Sequence, residues 1–280
     1  MDLNSSKRFI YIGLVVAAIA AAIAFAVVKP NGATPQKENS PIRKREIIIL
    51  AISDIHNNVA AMKNAGELAR KYSVDVIVDA GDLTDFGSRS ETDIIDEAGR
   101  LPVPHVFIAG NHDSTFTIES LRRFKNTVLP DEQTANVAGL SVLGQDDPAS
   151  RAEPPHSVDT TTAQLEQSYR RLSKIIKSLP KHPDVLIVHN PKIGERFAGK
   201  AAIIVTGHGH RAYARKESGS VIVNPGSTGA AGIRYFIGSH TSKTAAAVIY
   251  ATPGQKVTAK RVDLITMDGD KSPVARVIRF

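Results

Sequence analysis

Five short runs of β-branched and aliphatic residues recur along the chain, at 47–52, 74–78, 106–109, 185–188 and 203–206, and each leads within a few positions into Asp, Asn or His. Runs this short and this continuous read as strands buried on both faces, the kind found where helices cover a sheet. The intervening segments carry a helical period. Over 162–179, Leu165, Tyr169, Leu172, Ile176 and Leu179 fall on one face and Pro180 closes the helix. Residues 59–72 and 117–125 are predicted as shorter helices. In an open α/β sheet, ligands gather at the carboxyl ends of the strands. The residues just past these runs are therefore predicted to converge: Asp54 and His56 after the first, Asp82 after the second, Asn111 and His112 after the third, His189 after the fourth, His208 and His210 after the fifth.

A single strand ending in His is more often a hydrogen-bonded structural feature than a ligand site. Repetition changes that judgement, because five of only nine histidines occupy these strand ends. Gly81, Gly110 and Gly207 sit beside them, as a sharply turning chain requires. There are no cysteines, which excludes disulfides, thiolate-bound zinc, iron–sulfur clusters and a Cys nucleophile. Carboxylate and amide oxygens combined with imidazole nitrogens suit borderline divalent cations such as Mn²⁺, Fe²⁺ or Zn²⁺.

The blocks "DIH" (54–56), "GDLTD" (81–85), "GNHD" (110–113), the lone His189 and "GHGH" (207–210) stand in the order used by calcineurin-like metallophosphoesterases, which the chain resembles over about residues 46–230. The resemblance implies a four-layer αββα sandwich with two mixed β-sheets. It implies two divalent ions (Mn, Fe, Zn or similar), the first on Asp54, His56 and His210, the second on Asn111, His189 and His208, with Asp82 bridging. His112 is then a proton donor or transition-state stabiliser, and Asp113 the residue that orients it. The implied reaction is hydrolysis of a phosphomonoester or phosphodiester by a metal-bridging hydroxide. Two metals about 4 Å apart clamp the attacking and leaving oxygens, and metal-bound water can ionise at a pKa of about 7. Where relatives often carry Gly after D-x-H, this chain has Asn57-Asn58, and "RAY" follows "GHGH". Arg211 and Arg234, the latter within "NPGSTGAAGIRYF" (224–236), are candidates for binding substrate phosphate. "LGQDDP" (143–148) reads equally as a substrate-contacting loop or a plain turn.

The ends of the chain have a different character. After a tail of residues 1–8, positions 9–28 form an unbroken apolar run of the length a bilayer-spanning helix needs. It is expected to be a membrane anchor, with a cleaved signal sequence ending near Ala24-Phe25-Ala26 as the competitor. Lys7 and Arg8 favour the N-terminus inside, which would place a domain of residues 46–280 outside the cytoplasm beyond a linker at 29–45. Four of the seven net positive charges fall in the first 46 residues, so the remainder offers a weak footprint for nucleic acid. A nuclease and a protein-binding module that keeps the fold are the alternatives to a phosphoesterase. Nothing in the sequence specifies an oligomeric state. In the last third, "GSVIVNPGSTG", "TAAAVIYAT", "KVTAKRVDLIT" and "VARVIRF" are predicted as strands of a second, partly antiparallel sheet packed on the first.

Overall fold

Alternation within each strand sends one set of side chains between two sheets and the other set under helices. The computed structural model describes residues 45–150, 159–230, 243–268 and 272–280. In chain order the elements are β1 (Ile47–Ile52), α1 (Val59–Lys71), β2 (Val76–Asp79), α2 (Thr92–Ala98), β3 (His105–Phe107), α3 (Thr115–Leu121), β4 (Thr127–Val128), β5 (Thr134–Val137) and β6 (Leu140–Gln145). They continue with α4 (Thr162–Ser178), β7 (Val185–Val188), α5 (Pro191–Gly194), a 3₁₀ turn (Glu195–Phe197), β8 (Ile203–Val205), β9 (Tyr213–Glu217), β10 (Ser220–Asn224), β11 (Lys243–Thr252), β12 (Thr258–Asp268) and β13 (Val274–Arg279).

The strands form a seven-stranded sheet, β13-β12-β11-β1-β2-β3-β4, and a six-stranded sheet, β5-β6-β7-β8-β10-β9. Ile49, Ala51, Val76, Val78 and Val106 of the first meet Val142, Val185, Ile187, Ile203 and Val223 of the second in one buried core. Leu50, Ile52, Ile77 and Phe107 point the other way, onto Met62, Leu68, Ile94, Ile95 and Leu121 of α1, α2 and α3. Leu186, Val188 and Ile204 likewise pack on Leu165, Leu172 and Ile176 of α4. The result is the expected αββα layering. β1, β2 and β3 run parallel, as do β7 and β8, so their carboxyl ends lie at common edges.

Two expectations are corrected. The last third does not build a sheet of its own. β9 and β10 complete the second sheet, whereas β11 returns to pair antiparallel with β1, Leu50 opposite Val248, and β12 and β13 extend the first sheet from there. Local pattern marks these segments as strands but carries no information about which distant edge they join. The expected transmembrane anchor, membrane association and extracytoplasmic placement are also not upheld. No described helix is long and apolar enough to cross a membrane. The longest, α4, has 17 residues and exposes a charged face. The run 9–28 lies outside the described residues, as do the tail before it and all but the last residue of the linker after it.

Candidate metal centre

The ligand-bearing turns are tight because the backbone goes directly from strand into left-handed conformation. Asp54, His56, Asn57, Asp82, His208 and His210 all have positive φ, between 50° and 62°. Asp, Asn and His tolerate this region better than other side chains, and clusters of such residues mark functional sites. Asn57, at φ 58°, adopts the conformation a glycine would supply there. Asn58 then caps α1, accepting the Ala61 N–H at 3.0 Å, and donates to the Gly229 carbonyl at 2.9 Å. The turns are laced to one another: Asp54 N–H donates to Gly81 O (2.9 Å), His56 N–H to Asp82 O (3.0 Å) and Gly207 N–H to His189 O (2.8 Å). Gly110 must be glycine, since a Cβ there would collide with the Asp82 carboxylate.

The structure brings all seven expected ligand residues together. His210 Nε2 lies 3.1 Å from Asp54 Oδ1 and 3.1 Å from His56 Nε2. Asn111 Oδ1 lies 3.2 Å from His189 Nε2 and 3.0 Å from His208 Nδ1. Asp82 stands between the two groups, with Oδ2 at 4.0 Å from His56 Nε2 and 3.3 Å from His189 Nε2, while its Oδ1 accepts the His112 N–H at 2.9 Å. The donor atoms of Asp54, His56 and His210 fall within 4.8 Å of one another, as do those of Asp82, His189 and His208, and those of His56, Asp82 and His112. His210 keeps 37% of its side-chain exposure while Asp54, Asp82 and His189 have almost none, so the site opens on the His210 side.

The chemistry of these atoms fits a cation. His189 Nδ1 donates to the Ala80 carbonyl at 2.7 Å, so in the neutral ring Nε2 turns a lone pair towards two acceptor oxygens, on Asp82 and Asn111. Such a contact is repulsive unless a proton or a metal ion lies between the atoms. A ligating imidazole commonly has this second hydrogen bond, which fixes its tautomer. The electrostatics agree. Burial alone would raise the Asp82 carboxyl, but His189, His112 and His56 hold it well below the usual carboxylate range. Burial opposes protonation of His189, yet Asp82 pushes it up to about 10. Burial and the neighbouring His189 lower His208.

His112 is held differently. Its Nδ1 donates to the Asp85 carbonyl at 2.8 Å, and its ring meets His56 edge-on with centroids 4.8 Å apart. Asp113, expected to orient this ring, instead braces the backbone beneath it. Its carboxylate accepts from the N–H groups of Asp82 (2.9 Å), Thr84 (3.0 Å) and Gly110 (2.9 Å) and from the Thr84 hydroxyl (2.8 Å). Burial, with the charge of Asp82, pushes the Asp113 carboxyl up to about 7 against those donors. Asp85 closes the "GDLTD" block, and the motif alone assigns it no part; its carboxylate lies 3.4 Å from His56 Nδ1 and its carbonyl orients His112. The "LGQDDP" segment braces the end of β3, Asp146 Oδ1 accepting the Ala109 N–H at 2.9 Å and Asp147 N–H donating to Ala109 O at 2.8 Å. Arg211 is exposed next to His210, and Arg234 lies outside the described residues.

Known structures share this architecture. A Thermus thermophilus protein aligns with a TM-score of 0.52 at 16% identity, over 72% of this chain and 93% of its own. A dimetal phosphatase from Danio rerio aligns with a TM-score of 0.51 at 12% identity, over 83% of this chain and 99% of its own. A putative 5′-nucleotidase from Staphylococcus aureus, in complex with alpha-ketoglutarate, gives 0.53 at 16% identity, over 78% of this chain and 54% of its own. Identities this low show the fold alone. No curated protein sequence matches the chain. Residues 47–249, well over half the chain, match the calcineurin-like phosphoesterase superfamily domain. The chain therefore belongs to the calcineurin-like phosphoesterase superfamily.

Proposed function

We propose that the protein hydrolyses phosphomonoesters or phosphodiesters, with Asp54, His56 and His210 holding one divalent ion, Asn111, His189 and His208 a second, and Asp82 shared between them. The observation that carries this reading is the position of Asp82 Oδ2 between His56 and His189. A carboxylate with two oxygens can face two cations and offset their repulsion. When bound, such a pair activates water and neutralises charge on the phosphoryl oxygens. The Ala80 carbonyl accepts from Nδ1 and orients His189, so its Nε2 is presented without a rotamer search. The Asp85 carbonyl accepts a hydrogen bond from His112 Nδ1–H, leaving Nε2 to deliver a proton to the departing alkoxide. Arg211, exposed beside His210, is proposed to meet the substrate phosphate at the open side.

The test uses the full chain, stripped of metal and reloaded with Mn²⁺. Hydrolysis of an aryl phosphomonoester is compared with that of a bis-aryl phosphodiester, with Asp82→Ala as the control. Turnover that disappears together with bound metal in Asp82→Ala is the expected result, and the faster ester names the class. A chain that binds no metal and hydrolyses neither ester would leave a fold-retaining binding module as the reading.

A further inference from the structure

Behind the centre, on the helix-facing side of the first sheet, sits a polar pair that the chemistry above does not use. Asp79 ends β2 and His105 begins β3, both are fully buried, and His105 Nε2 lies 3.2 Å from Asp79 Oδ2. By alternation they share the side of Ile77 and Phe107, which belong to the apolar cluster under α1, α2 and α3. His105 Nδ1 is buried with no hydrogen-bond partner. An ionisable pair in such surroundings is costly, and well-packed apolar residues of similar volume often do as well or better for stability. Stability alone is thus a poor reason for it to be there.

Its other contact points towards the metal centre. Asp79 Oδ1 accepts the Gly81 N–H at 3.0 Å. Gly81 has φ +93°, and a Cβ on it would collide with the backbone of Gly110. Its carbonyl accepts the Asp54 N–H at 2.9 Å and the Ser53 hydroxyl at 3.4 Å. Asp82 follows it immediately, already left-handed at φ 58°. Gly81 is thus the junction at which the turn bearing Asp82 meets the turn bearing Asp54.

We propose that Asp79 and His105 form a positioning pair for the metal centre: Asp79 clamps the Gly81 turn so that Asp82 stands between the two ion positions, and His105 fixes the Asp79 carboxylate for that task. The inference rests on the reading of the site as a metal centre. Neither residue is catalytic, since both act through the backbone of Gly81.

The experiment measures Mn²⁺ affinity calorimetrically on the full chain, with thermal midpoint and Gly81 amide exchange of the metal-free protein as further readouts. Asp79→Val combined with His105→Leu removes both polar groups and leaves neither stranded. It should bind Mn²⁺ about 10- to 100-fold more weakly, the range typical when a supporting hydrogen bond behind a metal ligand is lost. Its thermal midpoint should fall only modestly, since the buried Gly81 N–H alone loses its acceptor, and exchange at Gly81 should accelerate. Asp79→Asn keeps an acceptor for the Gly81 N–H and should bind within about threefold of the wild type, well short of that loss. Should the double variant not fold, Asp79→Ala takes its place with the same expectation for affinity. Wild-type affinity in the variant lacking the acceptor, or an equal loss in Asp79→Asn, would overturn the proposal. A wild-type chain that binds Mn²⁺ without cleaving either ester removes the proposed activity while leaving this inference open to its own test. One that binds no Mn²⁺ removes both.

Discussion

At the scale of single residues, the centre is built from conformations most side chains avoid. Asn57 sits at φ 58° beside two ligands with the same handedness. A left-handed backbone costs a β-branched side chain about 1–2 kcal/mol. Asn57→Val should therefore lower unfolding free energy by about that much in urea titration, whereas Asn57→Gly should stay within about 0.5 kcal/mol of the wild type. The departure from the family pattern at Asn57-Asn58 is thus conservative in backbone terms, and nothing in the linear motif reveals it. In the proposed function His112 and Asp82 divide proton transfer from metal binding. His112→Ala should keep both ions while turnover falls by about 10²–10⁴-fold; Asp82→Ala should lose both ions and all activity. Metal stoichiometry measured alongside turnover checks this, and equal metal loss in the two variants would sink the division. Asp113→Ala tests a third role. It would strand the buried N–H groups of Asp82, Thr84 and Gly110, each costing about 1–3 kcal/mol. Its main effect should be a large drop in thermal midpoint, and a variant of normal stability with slow turnover would restore Asp113 to a direct part in catalysis.

Elements are legible where the residues repeat a period and illegible where they are short. The strands at 47–52 and 185–188 match their predicted extents, and α4 ends one residue early, at Ser178. The helix expected over 117–125 begins instead at Thr115, because the Ser114 hydroxyl accepts from Phe116 (3.1 Å) and Thr117 (3.4 Å) and starts it two residues sooner. α2 gives no periodic signal: "TDIIDEA" spans only seven residues and offers two adjacent isoleucines rather than a repeating face. Its start is fixed by the loop that precedes it, where the buried Glu91 carboxylate accepts from Asp85 N–H (2.6 Å), Phe86 N–H (3.2 Å) and Ser88 N–H (2.7 Å). α1 carries a prediction of its own. Asn58→Ala removes the cap on Ala61 and the bond to Gly229, and should cost about 1–2 kcal/mol in chemical denaturation.

For the whole molecule, the site exists only because two sheets deliver their strand ends to one place. Asp54, His56, Asp82 and Asn111 come from the first sheet, and His189, His208 and His210 from the second. A ligand shared across the two should therefore stabilise them jointly. Free Mn²⁺ at about 100 times its dissociation constant should add about 2.7 kcal/mol to unfolding free energy. The thermal midpoint should climb with Mn²⁺ concentration in the wild type and stay flat in Asp82→Ala; a flat wild-type response would argue that the two halves do not share an ion. The residues themselves determined the kind of strand, the order of the polar turns and which Asp, Asn and His side chains are candidate ligands, because burial on both faces and donor chemistry are written in composition and spacing. Three things were decided only by tertiary structure. β11 pairs with β1 although Leu50 and Val248 stand near opposite ends of the domain's sequence. Asp113 serves backbone N–H groups rather than the His112 ring. Asp79 and His105, unremarkable in sequence, meet beneath the centre. The reason is common to all three: a hydrogen bond between distant segments depends on which groups the folded chain brings within about 3 Å, and local periodicity holds no record of that.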